Sequence, residues 1–415
     1  MHGSDLVGYG YERGDMMEIT NERSIEIQEF IKSYSKDKVE KWPLEIHGRK
    51  EKLEYYNFPI KLLRYNVNNG RLAMEVGQWK IENGRELDSS LKPDSKIIRE
   101  LLLKLDESKT DELKEDLLKV GQMEPGVITH DGVVINGNRR MAVMELLHDE
   151  VDSSGKWQYF DAILLPAEIS QSELWKIEAG LQLSKDKVAQ YHPVNELLKI
   201  RQGVLSGLKP QEIQAAIYGR SIEEIEESIE RLKLIDDFLI FFDKGKPNNY
   251  GLIRTFGLHE YFINIQKSIL STAMKSGVGK RELSKRVEMA FALIRAHILA
   301  QSDRDVKGIS HFAIRELGKI YEVPKAYLAY EAVLNSKSNI KEIKPEIILE
   351  GFRSAKEVID LEAEKNKPKK LIDRAIKALD SIDRDSKYFR KEDLLSDITK
   401  LIDLAKELEQ ELRKK

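Results

Sequence analysis

The chain has 415 residues, and its 68 lysines and arginines nearly balance its 71 aspartates and glutamates, so any nucleic-acid surface must be local. The chain contains no cysteine, which excludes disulfides, thiolate metal sites and a cysteine nucleophile. There is no secretory signal pattern and no apolar run of membrane-spanning length, which predicts a soluble cytoplasmic protein that does not enter a membrane.

Residues 1–50 are predicted to be an N-terminal extension with one short amphipathic helix, Ile19–Tyr34. Leu53–Leu63 alternates aromatic and aliphatic residues with polar ones and predicts a strand. The loop that follows contains Asn-Asn-Gly, a turn signal, and ends at Arg71. Lys96–Val120 has leucines and isoleucines at helical spacing and predicts a helix.

The stretch 121–147 carries the most informative local pattern in the chain. Residues 126–129 and 133–135 are short apolar runs separated by Asp131-Gly132, which predicts a hairpin. Trp157–Leu165 predicts a further strand. These elements indicate a small domain that contains both strands and helices.

A second turn, Asn136-Gly137-Asn138, is followed by Arg139, Arg140 and a predicted helix over Met141–Leu147. A glycine turn exposes backbone N–H groups, and the start of the helix adds a positive dipole. Two guanidiniums supply further donors that match phosphate oxygens. The pattern therefore favours an anion such as phosphate, and the alternative is an ordinary strand-to-helix turn with solvated arginines.

This stretch resembles the signature of the ParB/sulfiredoxin superfamily, in which a strand ends in a Gly-(Glu/Asn)-Arg-Arg turn before a helix. The motif stands here as Gly137-Asn138-Arg139-Arg140, and the preceding Gly-Gln-x-x-Pro element begins at Gly121-Gln122 and ends at Pro125. The resemblance implies a nucleotide-binding domain over 51–168 that holds the phosphates of CTP or ATP with Mg²⁺. Without cysteine, the thiol-dependent repair chemistry of true sulfiredoxins is excluded.

The resemblance also places Arg71 near the phosphates, because the family carries an asparagine- and arginine-bearing loop after its first strand. The alternative for this loop is a surface turn. The family's Glu-Asn-x-x-Arg motif, which contributes to the CTP site, corresponds here to residues 178–182. Its asparagine and arginine are absent, so the identity of the base stays open.

Residues 169–243 are predicted to form an all-helical domain with a helix-turn-helix over Lys209–Leu234. Ala215, Gly219 and Ile225 have the spacing of a helix crossing, a turn and a buried position. Ser221 is predicted to cap the second helix together with Glu224. In the superfamily, this position carries the DNA-binding helix-turn-helix.

The second helix of this motif has an exposed face made almost entirely of glutamate. Such a face would be repelled by the two phosphate rows of a major groove. Packing, or binding to a basic protein partner, is the alternative use of this helix pair.

Residues 244–335 form a helical region with an excess of basic side chains. Asn248, Asn249 and Tyr250 are expected to add polar and stacking groups near its start. Phosphate contacts with DNA are expected from four residues around a Gly-rich loop: Lys280, Arg281, Lys285 and Arg286. A solvated charged face is the alternative, and no grouping of histidine and carboxylates has the spacing of a metal site.

Residues 336–415 are predicted to begin with a linker and continue as helices, Ile347–Glu364 and Leu371–Leu379, separated by a break at Pro368. The last helix has an apolar heptad seam from Leu394 to Leu412. This seam is expected either to pack on the chain's own helices or to form a homodimer.

The expected fold is α+β: a ParB/sulfiredoxin-like α/β domain, a helix-turn-helix domain and a helical C-terminal region. The expected function is a nucleotide-binding, DNA-associated protein. One alternative is a ParB-like nuclease, nucleotide hydrolase or kinase in DNA modification, plasmid maintenance or anti-phage defence, with Glu124, Asp131 and Glu178 as candidate carboxylates. Another is a protein-binding adaptor.

Overall fold

The computed structural model describes residues 21–35, 39–151, 155–183, 192–217, 219–242, 248–301, 308–386 and 389–414. The chain divides into two compact units between Arg315 and Glu316. The first unit contains the sheet and most of the helices. The boundaries expected near residues 168 and 243 therefore lie inside one compact unit.

The first unit contains a six-stranded mixed sheet with the strand order β1-β2-β6-β4-β5-β3. The strands are β1 (Glu40–Ile46), β2 (Arg49–Pro59), β3 (Arg64–Tyr65), β4 (Gly126–Ile128), β5 (Val133–Asn136) and β6 (Tyr159–Leu164). β3 runs parallel to β5 and β4 runs parallel to β6, while the other neighbouring pairs are antiparallel. The sheet together with the helices confirms a mixed α and β fold, and the predicted hairpin of β4 and β5 is confirmed.

β1 has no counterpart in the sequence-based expectation, which placed residues 1–50 outside the sheet. Only Leu44 and Ile46 of this strand are buried, because its other residues lie exposed at the edge of the sheet. The apolar alternation that identifies a strand is therefore missing from most of it. β2 also begins at Arg49, four residues before the predicted start.

Thirteen helices lie wholly within the described part of the first unit. They are α1 (Asn21–Ser33), α2 (Ala73–Asn83), α3 (Lys92–Lys104), α4 (Glu107–Val120), α5 (Asn138–Val151), α6 (Gln171–Leu183), α7 (Pro193–Leu205), α8 (Pro210–Ala216), α9 (Ile222–Phe242), α10 (Tyr250–Thr255), α11 (His259–Ile265), α12 (Ser271–Lys275) and α13 (Lys280–Ala300).

The single helix expected over Lys96–Val120 is wrong, because the chain forms α3 and α4 there. Asp106 interrupts the helix with an extended backbone, and its side chain accepts a hydrogen bond from Lys109 N at 3.1 Å. Aspartate is a preferred N-cap because its carboxylate satisfies a backbone donor that the first turn leaves open. The leucines on both sides of the break keep helical spacing, which hides the break from a periodicity argument.

Both faces of the sheet are covered by helices. The core on one face includes Phe58 and Val134 from the sheet and Met141 from α5. The core on the other face includes Ile135 from the sheet and Ile177 from α6. Val134 and Ile135 are successive residues of β5, so their side chains point to opposite faces of the sheet. Val134 belongs to the core that contains α5, and Ile135 belongs to the core that contains α6.

Helices α6 to α9 share a further core that includes Trp175, Ile200, Ile213 and Ile225. Ser221 and Glu224 form the predicted capping box, with Glu224 N donating to Ser221 Oγ at 3.1 Å and Ser221 N donating to Glu224 Oε2 at 2.8 Å. Gly219 has a positive φ in the turn between α8 and α9.

The expected role of Ala215 at the crossing of α8 and α9 is wrong, because this residue is exposed. Ile213 of α8 and Ile217, the residue after its end, are buried, while Ala215 between them lies on the exposed side of the helix.

Helix α14 (Phe312–Glu322) spans the division between the two units. The second unit continues with α15 (Pro324–Leu334), α16 (Pro345–Asp380) and α17 (Lys391–Lys414). α15 packs on the first half of α16, where the ring centroids of Tyr330 and Phe352 are 6.3 Å apart.

The expected break at Pro368 is wrong, because α16 continues through this residue. Proline removes one backbone donor and leaves the carbonyl four residues earlier without its helical partner. Both residues are exposed here, so water can satisfy that carbonyl. The local cost is therefore compatible with one long helix.

No helix in the described ranges combines the length and the apolar character needed to cross a membrane.

Candidate phosphate-binding site

The loop after β3 and the turn after β5 meet at one edge of the sheet. Because β3 and β5 are parallel neighbours, their carboxyl ends lie side by side. Asn138 joins the two: its Oδ1 accepts from Asn66 N at 2.9 Å and its Nδ2 donates to Val134 O at 2.6 Å. Its side chain is therefore a buried structural link, which leaves only its backbone N–H for a ligand.

Gly137 forms the tight turn between β5 and α5. Its φ is 103°, and an added Cβ would lie 2.8 Å from the ring of Phe160, so only glycine fits this position. Met141 N donates to Gly137 O at 2.9 Å, which begins the helix. The first N–H groups of α5 consequently point out of its amino end, where the helix dipole favours negative charge.

Arg139 stands in the first turn of α5 and is partly buried. Burial lowers the pKa of its guanidinium, and the nearby charge of Arg71 lowers it further, against a smaller attraction from Asp106. Its Nε–H is buried and has no hydrogen-bond partner among the described residues. Two crowded guanidiniums and a buried donor without an acceptor are the features that a bound anion would satisfy.

The loop that carries Arg71 is held from three sides by side chains. Asn69 Oδ1 accepts from Arg71 N at 2.9 Å within the loop. Asn195 of α7 donates to Arg71 O at 2.8 Å and accepts from Met74 N at 3.0 Å. Glu178 of α6 accepts from Gly70 N at 3.1 Å. The backbone at Arg71 is therefore fixed by residues that lie more than 100 positions away in the sequence.

Glu178 itself is paired with Lys199 of α7 inside the protein. Lys199 Nζ lies 2.6 Å from Glu178 Oε2, and both side chains are almost completely buried. Burial lowers the pKa of the Lys199 ammonium, while Glu178 opposes that change. Lys199 Nζ also donates to Gln202 Oε1 at 3.0 Å. The charge behind the loop is thus neutralised, and the carboxylate is available to hold Gly70.

Arg71, Gly137, Asn138 and Arg139 were expected at the site, and the structure brings these four residues to one edge. Asn195, Lys199 and the supporting role of Glu178 were not expected. In the sequence, Lys199 stands out only as a lysine among the apolar residues of α7. A lysine in such a position is equally typical of the water-facing side of a helix. These contacts depend on how α6 and α7 pack.

Arg140, Gly121 and Gln122 have structural contacts beside the site. Arg140 Nη1 donates to the carbonyl of Glu124, and burial lowers the pKa of its guanidinium. Gly121 ends α4 with a positive φ. Gln122 pairs with the backbone of Asp161, donating at 2.7 Å and accepting at 2.9 Å. Arg140 therefore faces the loop before β4.

The three carboxylates considered for catalysis do not gather at one place. Both oxygens of Glu178 accept hydrogen bonds inside the protein. Asp131 is buried in the turn between β4 and β5 beside Thr129 Oγ1, at the end of β5 opposite Gly137. Glu124 is exposed. Within the described ranges, no group of three or more histidine and acidic side chains could hold a metal ion.

The charged surfaces expected to meet nucleic acid have mixed character. The face of α9 exposes Glu223, Glu226, Glu227 and Glu230 to solvent, as its sequence predicted. Lys280 and Arg281 are exposed at the start of α13, whereas Lys285 and Arg286 are half-buried. Arg286 Nε donates to Glu282 at 2.9 Å, which offsets part of the positive charge.

The expected stacking role of Tyr250 is wrong. Its ring is buried, and its hydroxyl accepts from Arg201 at 2.8 Å and donates to Asp236. Arg254, another basic residue of this region, forms an ion pair with Glu75 of α2. These residues stabilise the helical part of the first unit, so the exposed basic surface is narrower than the sequence suggested.

Comparison of the chain with protein-family models, with curated proteins and with solved structures finds no match.

Proposed function

We propose that this protein binds the phosphates of a nucleotide at the carboxyl edge of β3 and β5. The observation that carries the proposal is the pair Arg139 and Arg71, whose positive charges are crowded together while the buried Nε–H of Arg139 lacks an acceptor. Gly137 and the first turn of α5 add backbone donors. A phosphate would accept from all these groups at once.

The nucleotide would be CTP or ATP, in keeping with the ParB/sulfiredoxin resemblance of the Gly-Asn-Arg-Arg turn. Arg139 would make the main contact with the phosphates and Arg71 would support it. Mg²⁺ would accompany the nucleotide through its phosphate oxygens and reduce their charge. In this arrangement, Arg139 and Arg71 bind and orient the nucleotide.

DNA association would use the basic surface at the start of α13. Lys280 and Arg281 are its exposed members, and each would contact backbone phosphates without reading bases. The glutamate face of α9 would be turned away from the duplex. With only two phosphate contacts, binding would be weak, its affinity would fall with roughly the second power of the salt concentration, and it would show little sequence preference.

The test is calorimetric titration of the full chain with CTP, ATP and GTP in the presence of Mg²⁺. We expect one nucleotide to bind and Arg139→Ala to weaken binding about 100-fold, because charge-assisted hydrogen bonds to phosphate are lost. Arg139→Lys, which keeps the charge but loses the forked donors, should lie between the two.

The matched control is Arg99→Ala, which removes an arginine of α3 that is paired with Asp149 at 2.8 Å. This variant should bind the nucleotide as the parent does. Unchanged binding by Arg139→Ala, or no binding of any of the three nucleotides by the parent, would disprove the proposed site.

A protein-binding adaptor is the second candidate, and the exposed glutamates of α9 favour it. Four acidic side chains on one helix face would attract a basic partner surface and repel nucleic acid. A gel-shift assay with duplex DNA distinguishes the two candidates. Retardation that is lost in Lys280→Glu/Arg281→Glu supports DNA association, and no retardation at low salt supports the adaptor.

A further inference from the structure

Helices α16 and α17 of the second unit present apolar side chains to solvent along much of their length. On α17, six apolar side chains have exposed fractions between 42% and 66%: Leu395, Leu401, Ile402, Leu404, Leu408 and Leu412. On α16, five such residues from position 361 onward are 42% to 57% exposed: Leu361, Leu371, Ile372, Ile376 and Leu379. We call these two sets the α17 stripe and the α16 stripe. Large contiguous apolar surfaces of this kind mark association sites.

The width of each stripe indicates how many neighbours it requires. With 3.6 residues per turn, the α17 stripe covers an arc of about 180° and the α16 stripe an arc of about 140°. The seam of a two-stranded coiled coil is much narrower, whereas helices inside a bundle bury an arc of about 100° or more. Each stripe is therefore wide enough to contact two neighbouring helices.

The net charges along the two stripes are of opposite sign. Residues 361–379 of α16, which span its stripe, contain six basic side chains and three acidic ones. Residues 394–411 of α17 contain five acidic side chains and two basic ones. Two α17 helices packed together would bring like charges beside each other, whereas α17 on α16 brings opposite charges together.

We propose that two copies of this chain associate by packing the α17 stripe of each copy on the α16 stripe of the other, which forms a four-helix bundle. Two copies supply two helices of each kind, which is the number that the stripe widths require. The contact is isologous, so it closes as a dimer and leaves no further surface for growth. The bundle stands independently of the nucleotide site, since it uses residues of the second unit alone.

The first test is the mass of the full chain in solution. Sedimentation velocity should give twice the 47.9 kDa of one chain, with a dissociation constant that rises on the order of 100-fold in Leu401→Glu/Leu408→Glu. Both leucines are exposed in a single copy, so this variant should keep the helical content of the parent. The matched control is Leu205→Glu at a leucine of α7 that is more exposed than either, and it should leave the dimer unchanged.

The second test identifies which helices pair, and the absence of native cysteine makes it clean. Ala375→Cys on α16 and Ala405→Cys on α17 are made as separate chains, mixed and oxidised. We expect disulfide-linked dimers from the mixture and few from either variant alone. Dimers from Ala405→Cys alone would show an α17–α17 contact and overturn the proposal.

A further variant carries Ala375→Cys and Ala405→Cys in the same chain. A third outcome is that the protein is a monomer at all concentrations and that this variant forms an internal disulfide. That result would show α17 folding onto its own α16 and would also overturn the proposal.

Discussion

Two regions of the molecule have groups without a suitable partner, and the groups are of opposite kinds. One region is the edge of the sheet around Arg139, and the other is the pair of helices α16 and α17. At the edge, many polar groups are buried with hydrogen-bond partners, while the buried Nε–H of Arg139 has none among the described residues. On α16 and α17, leucines and isoleucines stand in solvent. A buried donor without an acceptor calls for a small polar ligand, whereas an exposed apolar stripe calls for another protein surface. The kind of group left over indicates the kind of partner.

Crowded cations occur at a second place in the first unit, and the contrast with Arg139 is useful. Burial, Arg231 and His192 together lower the pKa of His259 to about 4. Histidine relieves the crowding by losing its proton and is neutral at pH 7. Arginine keeps its charge under all ordinary conditions. Crowding around an arginine therefore points to an anion more directly than crowding around a histidine does.

The largest expected effect comes from removing Lys199, whose partner Glu178 holds the loop that carries Arg71. Lys199→Met leaves the Glu178 carboxylate buried without its cation and should lower the free energy of unfolding by about 3 to 5 kcal/mol. Glu178→Gln/Lys199→Met removes both charges and should recover most of this loss. Urea denaturation measures both variants. Equal stability of Lys199→Met and the parent would show that the pair is not buried as described.

A smaller effect is expected from His259 as the pH is lowered. Its folded-state pKa, about 4, lies below its ordinary value of 6.5, so the unfolded chain binds the proton first. Stability should therefore be fully present above pH 6.5 and decline toward pH 4, by up to about 3 kcal/mol. Unfolding followed at several pH values tests this slope. In His259→Asn, the part of the slope that comes from this residue should be absent.

Two matched variants separate the effect of the hydrogen bond between Gly70 N and Glu178 from the effect of the Glu178 charge. Glu178→Gln/Lys199→Met keeps an oxygen that can accept from Gly70 N, whereas Glu178→Leu/Lys199→Met does not. Both variants have no net charge at this place. We expect nucleotide affinity about tenfold lower in the leucine variant, which corresponds to one lost hydrogen bond of about 1.4 kcal/mol. Equal affinities would mean that Gly70 needs no side-chain support to place Arg71.

The smallest effect is expected on the C-terminal helices at low protein concentration. Leu404→Ser replaces an exposed apolar side chain of α17 by a polar one, so its effect on the unfolding of a single copy should be within about 0.5 kcal/mol. The same substitution should weaken self-association measurably. A large loss of stability in the dilute chain would mean that Leu404 is already buried in one copy, and the two regions would no longer differ as described.

Local patterns in the sequence determined much of the framework. The hairpin of β4 and β5, the turn at Gly137, the start of α5 and the capping box of Ser221 and Glu224 all follow from residues within a few positions of each other. The acidic face of α9 was equally visible. The prediction is wrong for β1, where strand pairing forms without apolar alternation, at Asp106, where an N-cap interrupts a run of helical periodicity, and at Pro368, which α16 contains at an exposed position.

Only the tertiary structure decided which residues surround Arg139 and the loop after β3. Asn138 meets Asn66 across 72 positions, Glu178 meets Gly70 across 108, and Asn195 meets Arg71 across 124. Turn and helix signals act over three or four residues and contain no information about such distant pairs. The sequence by itself therefore determined that a glycine turn with arginines precedes a helix. The packing of α6 on the sheet, and the contacts of α6 and α7 with the loop after β3, decided what holds Arg71 in place.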